Sequence, residues 1–193
     1  MRARSAGPLW LALAFLLSLT LPLRADETSV PPQLQASLIT RLAPFDRSLA
    51  ARAQSRVLIL VAIRRDDAGS RQVAAGLIAA LASEKQIAGL PLEIGQITVG
   101  DPQQLIAEIR VRHPAIVYLS SGFTDEVPAL AANLSGEDVL TIAAESAAVA
   151  GGVCVGFDLV SGKPRLLIHL QQSKKQHVNF QATLLHLAKV VDQ

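Results

Sequence analysis

Residues 56–63 read RVLILVAI: seven apolar side chains follow one arginine without interruption. A strand with one wet face alternates apolar and polar residues. This run does not, so it predicts a strand buried on both faces, as inside a parallel sheet. The sequence on its C-terminal side supplies the covering layers. Ser70 is placed to cap a helix running to about Ala82, with Val73, Leu77, Ile78 and Leu81 turned inward. EIGQITV (93–99) reads as a second strand. DPQQLIAEIRVRH (101–113) opens with Asp101 as N-cap and Pro102 at the first helical position. AIVYLS (115–120) and DVLTIAA (138–144) are two more strands, separated by a short helix in FTDEVPALAANL (123–134). Strands alternating with helices predict one α/β domain, a layered and mainly parallel sheet with right-handed crossovers.

GGVCVGFDLVSGKPRLLIHL (151–170) poses the sharpest chemical question. It is not a phosphate-binding loop. Five residues separate Gly156 from Gly162 where four are needed, and Pro164 stands where Ser or Thr belongs. Read as a hairpin it is coherent. Ser161-Gly162 makes a two-residue turn, which sets Val160 opposite Lys163, Asp158 opposite Arg165 and Cys154 opposite His169. Val153, Val155, Phe157, Leu159, Leu166, Ile168 and Leu170 then share the other face. A thiol beside an imidazole is a candidate nucleophile or metal pair. Neither an orienting third group nor the three ligands of a metal site can be named. A buried, inert Cys154 is therefore the expectation. His177 and His186 cannot complete such a site if KKQHVNFQATLLHLAKVV (174–191) is one helix, since nine residues put them on opposite sides. That helix would bury Phe180, Leu184, Leu187 and Val191 with Leu185 beside them.

Toward the N-terminus, Leu34, Leu38 and Leu42 recur every four residues, one face of a helix that Pro44 should break. Residues 26–32, DETSVPP, read as a linker. Before it, Arg2 and Arg4 precede an apolar run from Leu9 to Leu23, with Ala25 as the small residue at a cleavage site. The run is short of the ~20 residues a membrane span needs, so residues 1–25 are read as a signal peptide and the destination as the periplasm. No transmembrane segment is expected after cleavage. Removing three of the 18 basic residues and none of the 16 acidic ones turns the net charge from +2 to −1. A nucleic-acid partner gains no electrostatic support from that balance. The single cysteine allows no internal disulfide.

GGVCVGFDLVSGKPRLLIHL followed by FQATLLHLAKVV resembles the C-terminal half of the YfiR-like family of bacterial periplasmic proteins. The residues that carry the resemblance are Gly151, Gly152, Gly156, Ile168, Leu170, Leu184, Leu185, Leu187, Ala188 and Val190. LAPFDRSLAARA (42–53) resembles a front segment of one branch. Residues 33–193 are thereby identified as a YfiR-like α/β domain. Two departures stand out: His169 replaces a frequent Asn, and only Cys154 is present where some members pair cysteines. The resemblance implies a non-enzymatic regulator without cofactor. It would bind the periplasmic sensor portion of an inner-membrane diguanylate cyclase and hold it off, within cyclic di-GMP signalling.

That reading predicts an exposed apolar patch of several hundred square ångströms or a homodimer face. Leu38, Leu42 and Phe45, beside the proline break, are the expected partner surface. The alternative is a small-ligand binder resembling one lobe of a periplasmic solute-binding protein. Ligands of open α/β sheets sit beyond the carboxyl ends of the strands. Here those ends offer Arg65, Asp66, Ser70, Ser120, Ser121, Gly122 and Ser146. An enzyme is not expected: Asp66-Asp67, Asp125-Glu126 and Glu137-Asp138 are sequence neighbours that do not converge, and no G-x-S-x-G elbow occurs.

Overall fold

The computed structural model describes residues 29–191. The chain runs α1 (Pro32–Leu42), a 3-10 turn (Ala43–Phe45), α2 (Leu49–Ala53), β1 (Val57–Arg64), α3 (Ala68–Leu81), β2 (Gln86–Ile87), β3 (Leu90–Val99) and α4 (Pro102–Arg112). It continues through β4 (Ile116–Leu119), α5 (Val127–Asn133), β5 (Leu140–Ala143), α6 (Ala147–Ala150), β6 (Val155–Val160), β7 (Lys163–His169), α7 (Leu170–Lys175), α8 (Ala182–Leu187) and β8 (Lys189–Val191). The strands of the described residues form one sheet in the order β2-β3-β1-β4-β5-β6-β7-β8. From β3 to β6 all neighbours are parallel, while β2 and β7 run antiparallel to β3 and β6. β8 returns parallel to β7.

β1 sits between β3 and β4, and each of its faces meets a helical layer. Val57, Ile59 and Val61 pack with Ile39 and Leu42 of α1 and Leu77 and Leu81 of α3. Leu60 and Ala62 pack with Leu105, Ile106 and Ile109 of α4 and Leu130 of α5. This is why the run is apolar at every step and not at every second one. The hairpin forms in the expected register, Val160 opposite Lys163 and Asp158 opposite Arg165. Ser161 and Gly162 both take positive φ, 51° and 73°, as a type I′ turn requires.

Four local expectations are corrected. α3 is capped one turn earlier, by Asp67, whose carboxylate accepts from the Ser70 amide at 2.8 Å. The Ser70 hydroxyl instead accepts from the Arg64 amide at 2.7 Å. The buried stripe of α1 is Gln35, Ala36, Ile39 and Leu42, leaving Leu34 exposed and Leu38 only partly buried. Val30, expected in a linker, is buried in the core.

The C-terminal segment is not one helix. His169 caps α7, His177 turns the chain at φ 54°, and a new helix begins only at Ala182. Tertiary pairing overrides the helical spacing: Phe180 bridges to Asp46, the Arg47 amide donates to the Asn179 carbonyl, and β8 joins the sheet. Leu187 consequently points to solvent, 78% exposed. His177 lies in the turn after α7 and His186 in α8, and Leu170 opens α7 instead of ending a strand. The signal-peptide reading falls on residues 1–25, outside the described residues.

Candidate functional site

The chain passes from β1 to β3 on one side, then returns to β4 on the other. The loops leaving β1 and β4 therefore diverge, and a crevice opens at their carboxyl ends. Its volume is about 480 Å³, lined by Gly69 and Val73 of α3, Ser121 after β4, Ala144 and Glu145 after β5, and Val30, Pro32 and Gln35 around the start of α1.

Two buried serines adjoin its lining residues in sequence, Ser70 after Gly69 and Ser120 before Ser121. The Ser120 hydroxyl donates to the Ala62 carbonyl at 2.6 Å, and the Ser70 and Ser120 oxygens hydrogen-bond at 2.5 Å. These contacts lock the loop after β1 to the loop after β4. Glu145 is fixed by two donors, the Gly122 amide at 3.2 Å and the Thr124 hydroxyl at 2.5 Å. On the α1 side, the buried Gln35 amide donates to the Val30 carbonyl at 2.8 Å. Its oxygen accepts from Tyr118 at 2.8 Å. Burial, with the charge of Glu145 added, pushes the Tyr118 phenol far above its usual range and keeps it a neutral donor.

Of the residues expected at this crevice, Ser121 lines it, Ser70 and Ser120 are buried next in sequence to the lining Gly69 and Ser121, and Gly122 holds Glu145. Ser146 lines a smaller depression next door, of about 220 Å³, with Ala144, Glu145 and Phe157. Arg65 lies against Gly100, and Asp66 sits exposed in a left-handed turn. Neither lines the crevice. Gln35, Gln72 and Glu145 were not anticipated. The available signal was Gln35 itself, four and seven residues before Ile39 and Leu42 on one helical face.

Cys154 is fully buried, its Sγ donating to the Gln176 Oε1 at 3.1 Å. Burial raises its thiol. His169 opposes it in the sheet but spends Nδ1 on the Gln172 amide at 3.2 Å, as a helix cap. The pair is not an activated nucleophile. Among the described residues, no group of three or more His, Cys, Asp or Glu side chains could hold a metal ion.

The two motif-bearing ends of the chain meet. Asp46 is buried and its carboxylate accepts from the Ser48 and Asn179 amides at 3.0 and 3.1 Å and from the Arg52 guanidinium. Phe45 and Leu185 are partly buried against the same core, and Leu184 is buried in it. The glycines carry close packing. A Cβ on Gly151 would meet Val127 at 2.9 Å, one on Gly152 would meet Ala131 at 2.6 Å, and one on Gly156 would meet Val149 at 2.4 Å.

One family model, described as YfiR/HmsC-like, matches residues 32–189. The chain belongs to the YfiR/HmsC-like family. The match takes in both the Asp46 segment and the glycine-hairpin-helix unit that the fold brings together. No curated protein matches this YfiR/HmsC-like chain. Among solved structures it is similar to an ABC domain from Streptococcus pneumoniae, described in complex with L-Trp. The two are 12% identical with a TM-score of 0.60, over 83% of this chain and 62% of that one. It is also similar to a ligand-free, open substrate-binding protein with adhesive properties from Clostridium difficile. Identity is 11% and the TM-score 0.60, over 81% of this chain and 58% of that one. A conserved domain protein from Vibrio cholerae matches at 11% identity and a TM-score of 0.61, over 84% and 60% of the two chains. These likenesses show the fold. The YfiR/HmsC-like chain spans less than two thirds of each of these structures.

Proposed function

We propose that this chain is a non-enzymatic periplasmic regulator, exported by its first 25 residues, that binds the periplasmic sensor region of an inner-membrane diguanylate cyclase and restrains it. The observation that carries the reading is family membership over residues 32–189. No helix among the described residues is long and apolar enough to cross a membrane, so a free periplasmic domain is compatible with this reading.

The partner surface we propose runs from α1 through the 3-10 turn that follows it to α8. Gln181, the N-cap of α8, donates its amide to the Phe45 carbonyl of that turn at 2.9 Å, which brings the turn and the start of α8 together. Leu38, Phe45 and Leu185 are partly buried there and Leu187 is exposed. Leu42 is only 3% exposed, so it supports this face from within and offers no contact of its own. A two-fold contact between copies over the same face is the homodimer form of this proposal. The test is cyclic di-GMP in cells lacking the protein. The level should rise on deletion, and the wild-type gene should restore it where Leu38→Glu does not. An unchanged level would sink the regulatory reading.

A second reading is favoured by the crevice: small-ligand binding, as in one lobe of a solute-binding protein. It is supported by the cavity at the carboxyl ends of the strands and by the fold shared with substrate-binding chains. Such a ligand would be the signal that the regulator reads.

A further inference from the structure

The charge around the crevice selects among ligands. At about 480 Å³ it lies within the ~300–1,000 Å³ typical of small-molecule sites. Among the described residues, Glu145 is its sole ionisable lining residue. Arg64 pairs with Glu126 and lies 5.9 Å from the Phe123 ring centroid, and Arg65 rests on Gly100, while Arg71, beside the lining Gln72, is exposed to solvent. A second carboxylate, Asp67, lies beside the lining Gly69, where a Cβ would meet its Oδ1 at 3.3 Å. An anion entering here would be repelled by two carboxylates.

Glu145 is held by Gly122 and Thr124, one donor on each oxygen. A carboxylate oxygen has two acceptor sites, so each retains one. Gln35 has both ends of its amide engaged within the protein and acts as wall. Val30, Pro32, Val73 and Ala144 give the crevice an apolar side. The arrangement is a fixed acceptor at one end of a partly apolar slot.

We infer that the crevice binds a small primary amine, its ammonium on Glu145 and its apolar body against Val30, Pro32 and Val73. A charge-assisted hydrogen bond of this kind is about twice as strong as a neutral one. The inference rests on the crevice being a ligand site, and the experiment separates the two claims.

The purified chain, isotopically labelled, is titrated at millimolar concentration with tyramine, putrescine, 3-(4-hydroxyphenyl)propionate and glucose while backbone amide shifts are followed. Tyramine should move Gly69, Ser121 and Gly122, and the carboxylate of similar shape should not. Glu145→Gln should weaken tyramine about tenfold. Because that change also loosens the Gly122 loop, Ser121→Trp provides a second variant that fills the crevice, and it should abolish the shifts. Binding of the carboxylate or glucose in place of both amines would overturn the amine assignment and keep the ligand site. Silence from all four probes would overturn both.

Discussion

Cys154 and Tyr118 are buried acids whose proton affinity is raised, and both carry consequences for pH. The folded chain holds the Cys154 proton that the unfolded chain releases near its ordinary value of 9.0, and the Tyr118 proton likewise near 10.0. Folded-state pKa values above unfolded ones mean that stability from these groups is complete at neutral pH and is lost as pH rises past 9. Urea midpoints should therefore fall through the alkaline range, and Cys154→Ala should remove the part that begins first. The native thiol should resist a disulfide reagent until urea unfolds the chain. Rapid labelling of the native protein would contradict its burial. The glycines differ among themselves in the same quantitative way. Gly152→Ala combines a φ of 112° with a contact at 2.6 Å, and Gly156→Ala drives a Cβ to 2.4 Å from Val149. Each should cost about 2–3 kcal/mol by urea denaturation. Gly162→Ala meets nothing within 4 Å and should cost about 1 kcal/mol for its positive φ alone.

Among the elements, the β6–β7 hairpin offers the clearest test. Ser161 occupies a left-handed position that Asn adopts more readily. Ser161→Asn should stabilise the chain by about 0.5 kcal/mol, read from the urea midpoint, and a loss would argue against the type I′ turn. The Asp158–Arg165 pair, 2.6 Å apart and partly solvated, should matter little: Asp158→Asn should cost no more than about 1 kcal/mol. β1, α4 and the hairpin register were legible because strand burial, the Asp101-Pro102 start and a two-residue turn are local signals. The C-terminal segment was not, because its breaks are set by partners far away in sequence: Asp46 for Phe180 and β7 for β8. The stripe of α1 was displaced for a related reason. Counting leucines favours Leu34, Leu38 and Leu42, whereas burial goes to Gln35, whose amide finds Val30 and Tyr118. At the crevice, the strand-end rule reaches one lining residue, Ser121, and its neighbours Ser70, Ser120 and Gly122. Glu145 and Gln35 enter only through the pairing of β5 beside β4 and the docking of α1, which no local pattern encodes.

For the molecule as a whole, the family's two sequence-distant ends converge on one buried ion pair, and the proposed partner face is made of Leu38, Phe45 and the exposed Leu187. A partner gripping this face should be lost from Leu187→Glu, an exposed change expected to alter stability by no more than about 0.5 kcal/mol. Leu42→Glu would unfold the chain and so could not discriminate. The most direct measurement is cross-linking in intact cells followed by mass spectrometry of what the chain captures. The account predicts an inner-membrane diguanylate cyclase, joined through its periplasmic region to residues of α1 or α8, with capture lost in Leu187→Glu. Capture of the chain alone, or of the cyclase undiminished by that substitution, would contradict it.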